Sequence, residues 1–315
     1  TLSFTLFGSG LYASAIYPID QASILVGSKF DIKVEFNTVL NSNDVKLNLN
    51  GVPLKSSVTS KEEFIANENG KGSAIIFRDV ELKKPGKYDL VASTAQERLQ
   101  VSWDVYASGP RRVKNVILFI GDGMTIANRT TARVLSKGIQ EGKYQGKLAF
   151  DEMPSTAMIG TSGSDSLITD SANSMSAYTT GHKTAVNAMG VYVSRASDNL
   201  SHPKVETIAE LIKRKTKMSV GIVSDAELED ATPGAVVAHT RRRADKQYIA
   251  DQMFASGAEV ILGGGSAYFY PQSTKGSKRK DNKNLVASFK ANGYQLAFTK
   301  QELIAAADNQ TTKKL

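Results

Sequence analysis

Val113-Lys114-Asn115-Val116-Ile117-Leu118-Phe119-Ile120 is a nearly continuous apolar run that stops at Gly121-Asp122-Gly123-Met124. It lacks the alternation of a half-exposed strand and predicts one buried on both faces, as in parallel sheets. Downstream, Ile126, Ala132 and Leu135 mark a helix, and residues 205–217 (VETIAELIKRKTK) have amphipathic helical spacing. Residues 218–223 (MSVGIV) read as a second buried strand, residues 244–255 as a further helix, and residues 259–262 (EVIL) as a third strand running into Gly263-Gly264-Gly265. Strands alternating with helices predict an α/β layer with a largely parallel sheet over residues 109–315. No internal repeat and no transmembrane span is read from the sequence.

Residues 16–108 read differently. Phe30, Ile32, Val34 and Phe36 alternate with polar residues, marking one buried strand face, and Val45, Leu47 and Leu49 do the same before an Asn50-Gly51 turn. Ile75 and Phe77 share a face, and Leu99, Val101, Trp103 and Val105 alternate again. Pro85-Gly86-Lys87-Tyr88-Asp89-Leu90 resembles a tyrosine corner, in which a phenol ties a strand to the turn before it. These features predict a small all-β immunoglobulin-like sandwich, closer to the cysteine-free variants, ending at Ser108-Gly109-Pro110.

At 315 residues the chain has room for a sizeable core and about two domains. It has no cysteine, which excludes disulfides, thiolate zinc sites and a cysteine nucleophile. The net charge of +8 draws on Arg241-Arg242-Arg243 and on residues 275–283 (KGSKRKDNK). The second stretch reads as a solvated loop. Without interleaved aromatics it offers no stacking platform for single strands, and no specific nucleic-acid partner is expected. The apolar residues 2–12 end in Ala13-Ser14-Ala15, the pattern of a signal-peptide core and cleavage site. Residues 1–15 are therefore expected to be a signal peptide lacking its beginning, with export to the periplasm or the extracellular space; the alternative is a mature first strand.

Sites in open α/β sheets form outside the carboxyl ends of the strands. Asp122 ends the first strand between two glycines, and Asp230 and Thr232 follow the second, in residues 224–233 (SDAELEDATP). Ser171, in Thr169-Asp170-Ser171-Ala172, stands where a turn hands over to a helix, with Lys183 about three helical turns beyond. The positive end of a helix favours anions, so Ser171 suits attack on phosphorus; the plain alternative is a helix cap. The oxygen donors suit magnesium. Asp122 reads equally as a turn residue, and Asp230 and Thr232 as loop caps.

Four stretches in order, NVILFIGDGM (115–124), TDSANSMSAYTTGHKT (169–184), DAELEDATPGAVVAHTRRR (225–243) and VILGGG (260–265), resemble the alkaline phosphatase family. The resemblance covers roughly half of the chain. It implies a doubly wound sheet, incomplete in this chain, and hydrolysis of small phosphate monoesters through a covalent phosphoserine, with two zinc ions and one magnesium. Asp122 matches the aspartate bridging a zinc and the magnesium, Ser171 the nucleophile and zinc ligand, and Thr232 the magnesium ligand of the bacterial branch. Asp230 matches the neighbour ordering magnesium-bound water, where other branches carry histidine. Arg243 matches the phosphate clamp, with Asp170 placed to orient it. A homodimer is common in the family.

The only histidines, His182, His202 and His239, match no zinc position of the family. His239 reads as a packing residue, the other two as surface residues. The remaining ligands lie further along in the family, so the chain reads as a fragment, inactive alone. An inert phosphatase-like binding or adhesion protein, and a phosphodiesterase or sulfatase of the same superfamily, are the rival readings.

Overall fold

The computed structural model describes residues 13–309 and 311–315. The leader expected over residues 1–15 lies almost wholly outside the described residues. Two compact units divide the chain, one of residues 1–109 with 163–315, the other Pro110–Ser162.

The first unit opens with a sandwich. One sheet has the order β1-β3-β7-β6, built from β1 (Ala15–Tyr17), β3 (Lys29–Glu35), β7 (Ala74–Glu81) and β6 (Glu62–Ile65). The other runs β2-β9-β8-β4-β5, from β2 (Ser23–Leu25), β9 (Arg98–Tyr106), β8 (Gly86–Ser93), β4 (Lys46–Leu49) and β5 (Val52–Pro53), with the short helix α1 (Leu54–Ser57) after it. The alternating residues Phe30, Ile32, Val34, Phe77, Leu90 and Trp103 meet between the sheets, Phe30 and Trp103 edge-to-face at 5.8 Å. Asn50 and Gly51 both have positive φ and close the β4–β5 hairpin. The Tyr88 hydroxyl donates to the Lys84 carbonyl at 3.1 Å, the expected corner.

The polar face of β3 departs from the simple pattern. Asp31, Lys33 and Glu35 are as buried as the apolar residues between them. Residues 194–205 cover them: Asp31 N–H donates to the Lys204 carbonyl at 2.8 Å, and Phe30 bridges to Val205. Alternation marked the inner face correctly, but the outer face meets protein instead of water because its charges find partners there.

In the second unit, residues 113–120 form no strand, and Val116, Ile117, Leu118 and Phe119 are exposed. This corrects the buried strand that the apolar run predicts. A strand buried on both faces needs hydrogen-bonding neighbours and covering layers. Among the described residues of this unit, the only strand pairing joins the two-residue β10 (Ile139–Gln140) and β11 (Lys143–Tyr144). The predicted helix is present as α2 (Ile126–Lys137), capped by Thr125.

The remainder of the first unit is α/β. It contains α3 (Ser171–Thr180), α4 (Ile208–Lys215), β12 (Gly221–Glu227), α5 (Ala231–Gly234), α6 (Lys246–Ala255), β13 (Val260–Gly264), α7 (Leu285–Ala291) and α8 (Lys300–Asp308). β12 and β13 pair in parallel, Ile222 opposite Ile261, with α5 and α6 between them in sequence. Ile222, Leu228, Met253, Phe269, Phe289 and Tyr294 form the core beside this pair. Val223 remains exposed, so β12 is covered on one face only, where burial on both was expected. No helix among the described residues is long and apolar enough to cross a membrane.

The basic stretch at 275–283 is less solvated than expected. The Arg279 side chain is fully buried, donating to Asp251 and Asp281 at 2.9 and 2.7 Å. Two carboxylates and the Gln247 and Tyr268 carbonyls consume its donors, which is what allows a guanidinium to leave water.

Candidate active site

The local sequence Thr-Asp-Ser-Ala-Asn places the cap one residue before the serine. Asp170 is the N-cap of α3, its carboxylate accepting from Asn173 N–H at 3.1 Å, while the Asn173 side chain accepts from Asp170 N–H at 3.0 Å. This reciprocal pairing satisfies the helix end. Ser171 is thus the first helical residue, and its hydroxyl is spared capping duty. It sits half-buried at the positive end of a ten-residue helix.

Arg243 reaches this hydroxyl. Its Nη1 donates to Ser171 Oγ at 2.9 Å and lies 3.3 Å from Asp170 Oδ2, while Nη2 donates to Asp230 Oδ1 at 2.9 Å. Asp230 is itself the N-cap of α5, accepting from Ala231 N–H at 2.8 Å. Burial alone would raise the Asp230 pKa, but hydrogen bonds from Arg243 and the Ala231 amide outweigh it and keep the carboxyl below its usual range. Asp230 is therefore an anion at neutral pH. The guanidinium is held by two carboxylates on two helix starts and points at one hydroxyl.

The structure brings together Asp170, Ser171, Asp230 and Arg243, with Thr232 on α5 two residues past Asp230. Asp122 lies in the other unit, exposed, in the turn after Gly121. Lys183 follows the end of α3 at Gly181 and is exposed. A ten-residue helix is roughly 15 Å long, so Lys183 belongs to the opposite end of α3 from Ser171.

The histidines correct the expectation of surface positions. His182 is buried and hydrogen-bonded through Nδ1 to the Tyr192 hydroxyl at 2.6 Å; burial pushes its pKa down to about 4. His202 is buried, its Nδ1 accepting from Ser194 N–H at 3.0 Å, and burial with the charge of Lys33 lowers its pKa to about 4. His239 packs as expected, its Nδ1 2.8 Å from the Gly190 carbonyl and its Nε2 2.9 Å from Glu210 of α4. Among the described residues, no cluster of three or more histidine, aspartate and glutamate side chains is placed to hold a metal.

Two residues of this region escaped the sequence reading. Asn187 has a positive φ of 68° and touches both Asp170 and Arg243 through its main chain. Its only sequence signal is that asparagine tolerates this conformation. Glu229, beside Asp230, is fully buried, and among the described residues neither of its carboxylate oxygens has a hydrogen-bond partner. It lies against Gly265, where a Cβ would collide with the carboxylate, which accounts for one glycine of the Gly263-Gly264-Gly265 run.

A family profile described as alkaline phosphatase matches residues 113–315. The alkaline phosphatase of Escherichia coli K12 is 34% identical over 227 residues, 64% of this chain and 45% of that protein. The streptomycin-6-phosphate phosphatase of Streptomyces griseus is 33% identical over 238 residues, 68% of this chain and 48% of that protein. The chain spans about half the length of the curated relatives it matches. A solved cold-active alkaline phosphatase from a psychrophilic Shewanella is 30% identical, covering 59% of this chain and 42% of its own, with a TM-score of 0.48. Because the profile runs through well over half of its length, the described site included, this chain belongs to the alkaline phosphatase family.

Proposed function

We propose that the whole protein hydrolyses phosphate monoesters, with Ser171 as the nucleophile that becomes a covalent phosphoserine. The observation that carries this reading is the Arg243 guanidinium on Ser171 Oγ at 2.9 Å, braced by Asp170 and Asp230. A cationic donor on the hydroxyl oxygen stabilises its alkoxide, and the α3 N-terminus adds to that field. Ser171 gives its hydroxyl proton to solvent, its Oγ forms a bond to phosphorus as the ester P–O bond breaks, and the departing alkoxide takes a proton from water. Water then attacks the phosphoserine, releasing inorganic phosphate and returning the serine. Throughout, the planar guanidinium holds two phosphoryl oxygens and meets their charge. It reads the phosphoryl group and not the leaving group, so breadth among monoesters is expected.

Relatives in this family depend on zinc and magnesium. The three histidines of this chain do not fit zinc, because each is buried and its ring is hydrogen-bonded elsewhere. Magnesium fits better: Asp230, paired with the Arg243 guanidinium, and Thr232, two residues on, are oxygen donors that would hold it. Bound there, magnesium supplies positive charge and ordered water.

Export to the periplasm or outside the cell, following the Ala13-Ser14-Ala15 pattern, belongs to the same proposal. The test is Ser171→Ala in the full-length protein, assayed for p-nitrophenyl phosphate turnover and for trapping of radiolabelled phosphate. Loss of both is expected. Undiminished turnover by the variant overturns the assignment.

A further inference from the structure

We propose that Asn187 is a positioning residue for the Arg243 clamp, an inference that rests on the phosphatase reading above. With φ at 68°, Asn187 turns the two polar groups of its main chain toward two different members of the site. Its N–H donates to Asp170 Oδ2 at 3.2 Å, and its carbonyl accepts from Arg243 N–H at 2.8 Å. Asp170 Oδ2 also takes Arg243 Nη1, at 3.3 Å. The contacts close a ring: Arg243 main chain, Asn187 main chain, Asp170 carboxylate, Arg243 guanidinium. Both ends of the arginine are thereby referenced to one residue, and the guanidinium is set over Ser171 Oγ.

The loop around this residue is pinned on both sides. Val186 N–H donates to Asp165 Oδ1 at 3.0 Å, and the Val186 carbonyl accepts from Arg241 Nη1 at 3.1 Å. Two residues further, Met189 N–H donates to the Thr240 carbonyl at 2.9 Å. The segment carrying Arg241 and Arg243, a bend and a turn after the single bridge at Thr240, is thus laced to residues 186–189, and the left-handed conformation at Asn187 presents its donor where Asp170 needs one. The ring uses only main-chain atoms of Asn187. The position therefore demands a backbone conformation, which glycine adopts freely, asparagine tolerates and a β-branched residue resists.

The test compares Asn187→Gly and Asn187→Val in the full-length protein. Glycine is expected to leave KM and the inhibition constant for inorganic phosphate within about twofold of the parent, while valine raises both constants about tenfold, the scale of a misplaced backbone conformation. A smaller change in kcat, with both variants folded by circular dichroism, separates clamp geometry from general damage. A second arm needs no turnover: nitrogen-15 spectra of the arginine side chains of the 315-residue chain, with the Arg243 signal identified by its loss in Arg243→Lys. Slow exchange of the Arg243 guanidinium in the parent and the glycine variant, and fast exchange in the valine variant, supports the ring. An Arg243 signal and a phosphate affinity unmoved by valine overturn it, as does a glycine variant impaired as much as valine. Absence of turnover in the parent overturns the phosphatase reading instead, and the spectra still decide the ring.

Discussion

Lys33→Met is expected to destabilise the first unit by about 3–5 kcal/mol, the range for removing one partner of a buried ion pair. Lys33 Nζ lies 2.7 Å from Glu68 Oε1 and 2.9 Å from Glu35 Oε1. Arg195 Nε stands 3.7 and 3.8 Å from the same two carboxylates. Lys33, Glu35 and Arg195 side chains are exposed by 1, 2 and 4%, and Glu68 by 8%. Two cations thus balance two anions out of water. Methionine fills most of the lysine stem, so the loss is electrostatic and not a cavity. It leaves two carboxylates facing one guanidinium, whose Nη atoms already serve the Phe36, Lys71 and Ser73 carbonyls. Removing one charge of each sign, in Lys33→Met with Glu68→Gln, restores neutrality and should recover most of the loss, since neutral replacement of a whole buried pair is often tolerated. Urea unfolding at pH 7 measures this. Trp103, the single tryptophan and buried between the sheets, reports on the sandwich by fluorescence, and far-ultraviolet circular dichroism reports on the helices. Because Arg195 belongs to the α/β portion, both signals should shift together. A single variant within about 1 kcal/mol of the parent, or a double variant less stable than the single, refutes the reasoning.

Two further predictions concern pH. Both ring nitrogens of His239 face acceptors, the Gly190 carbonyl and the Glu210 carboxylate, so the folded state holds an imidazolium. Burial alone would lower its pKa and Lys204 opposes the charge, but the Glu210 and Gly190 contacts prevail and the net shift is upward from 6.5. The resulting stability is fully present below pH 6.5 and is lost as pH rises through the folded value. Glu210→Gln should therefore cost about 2 kcal/mol at pH 6 and progressively less by pH 9, read from urea midpoints; a constant difference would contradict the pairing. Glu229 is pushed up to about 7, chiefly by burial. Its folded form keeps a proton that the unfolded chain releases above 4.5, so stability falls between pH 4.5 and 7. Glu229→Gln should raise the melting temperature at pH 8 relative to the parent and leave the order less changed at pH 5; equal melting temperatures at pH 8 would refute it.

Elements with strong local signals were legible in the sequence. Alternation located β3, β7 and β9, and the tyrosine corner at Tyr88 and the Asn50-Gly51 turn stand where their chemistry requires. α2, α4 and α6 follow from their spacing. What the sequence could not show is partnership. An apolar run such as residues 113–120 states a need for neighbours without identifying them, and here it is not a strand. The same limit hid the second face of β3, the pairing of His239 with Glu210, and the burial of Arg279. Spacing alone also left Ser171 ambiguous between cap and nucleophile. The geometry resolves the cap in favour of Asp170, because the aspartate oxygen reaches the third amide of the helix and the serine hydroxyl turns to Arg243.

One stretch of chain connects the candidate site to the ionic cluster on β3. Asn187 touches the site residues, and eight positions later Arg195 enters the ionic cluster on β3. Between them, the Gly190 carbonyl accepts from Val205 N–H and meets His239, Gly190 N–H donates to Ser176 of α3, and Val191 bridges to Lys204. Residues 187–205 therefore run as a continuous strap from the mouth of α3 to the outer face of the sandwich. Two points along it are fixed by different means, main-chain geometry at Asn187 and charge balance at Arg195. A sandwich attached only by a linker would leave Arg243 indifferent to Lys33. Here the segment that sets the arginine also seals the charges of β3, so the β block is part of the framework behind the site.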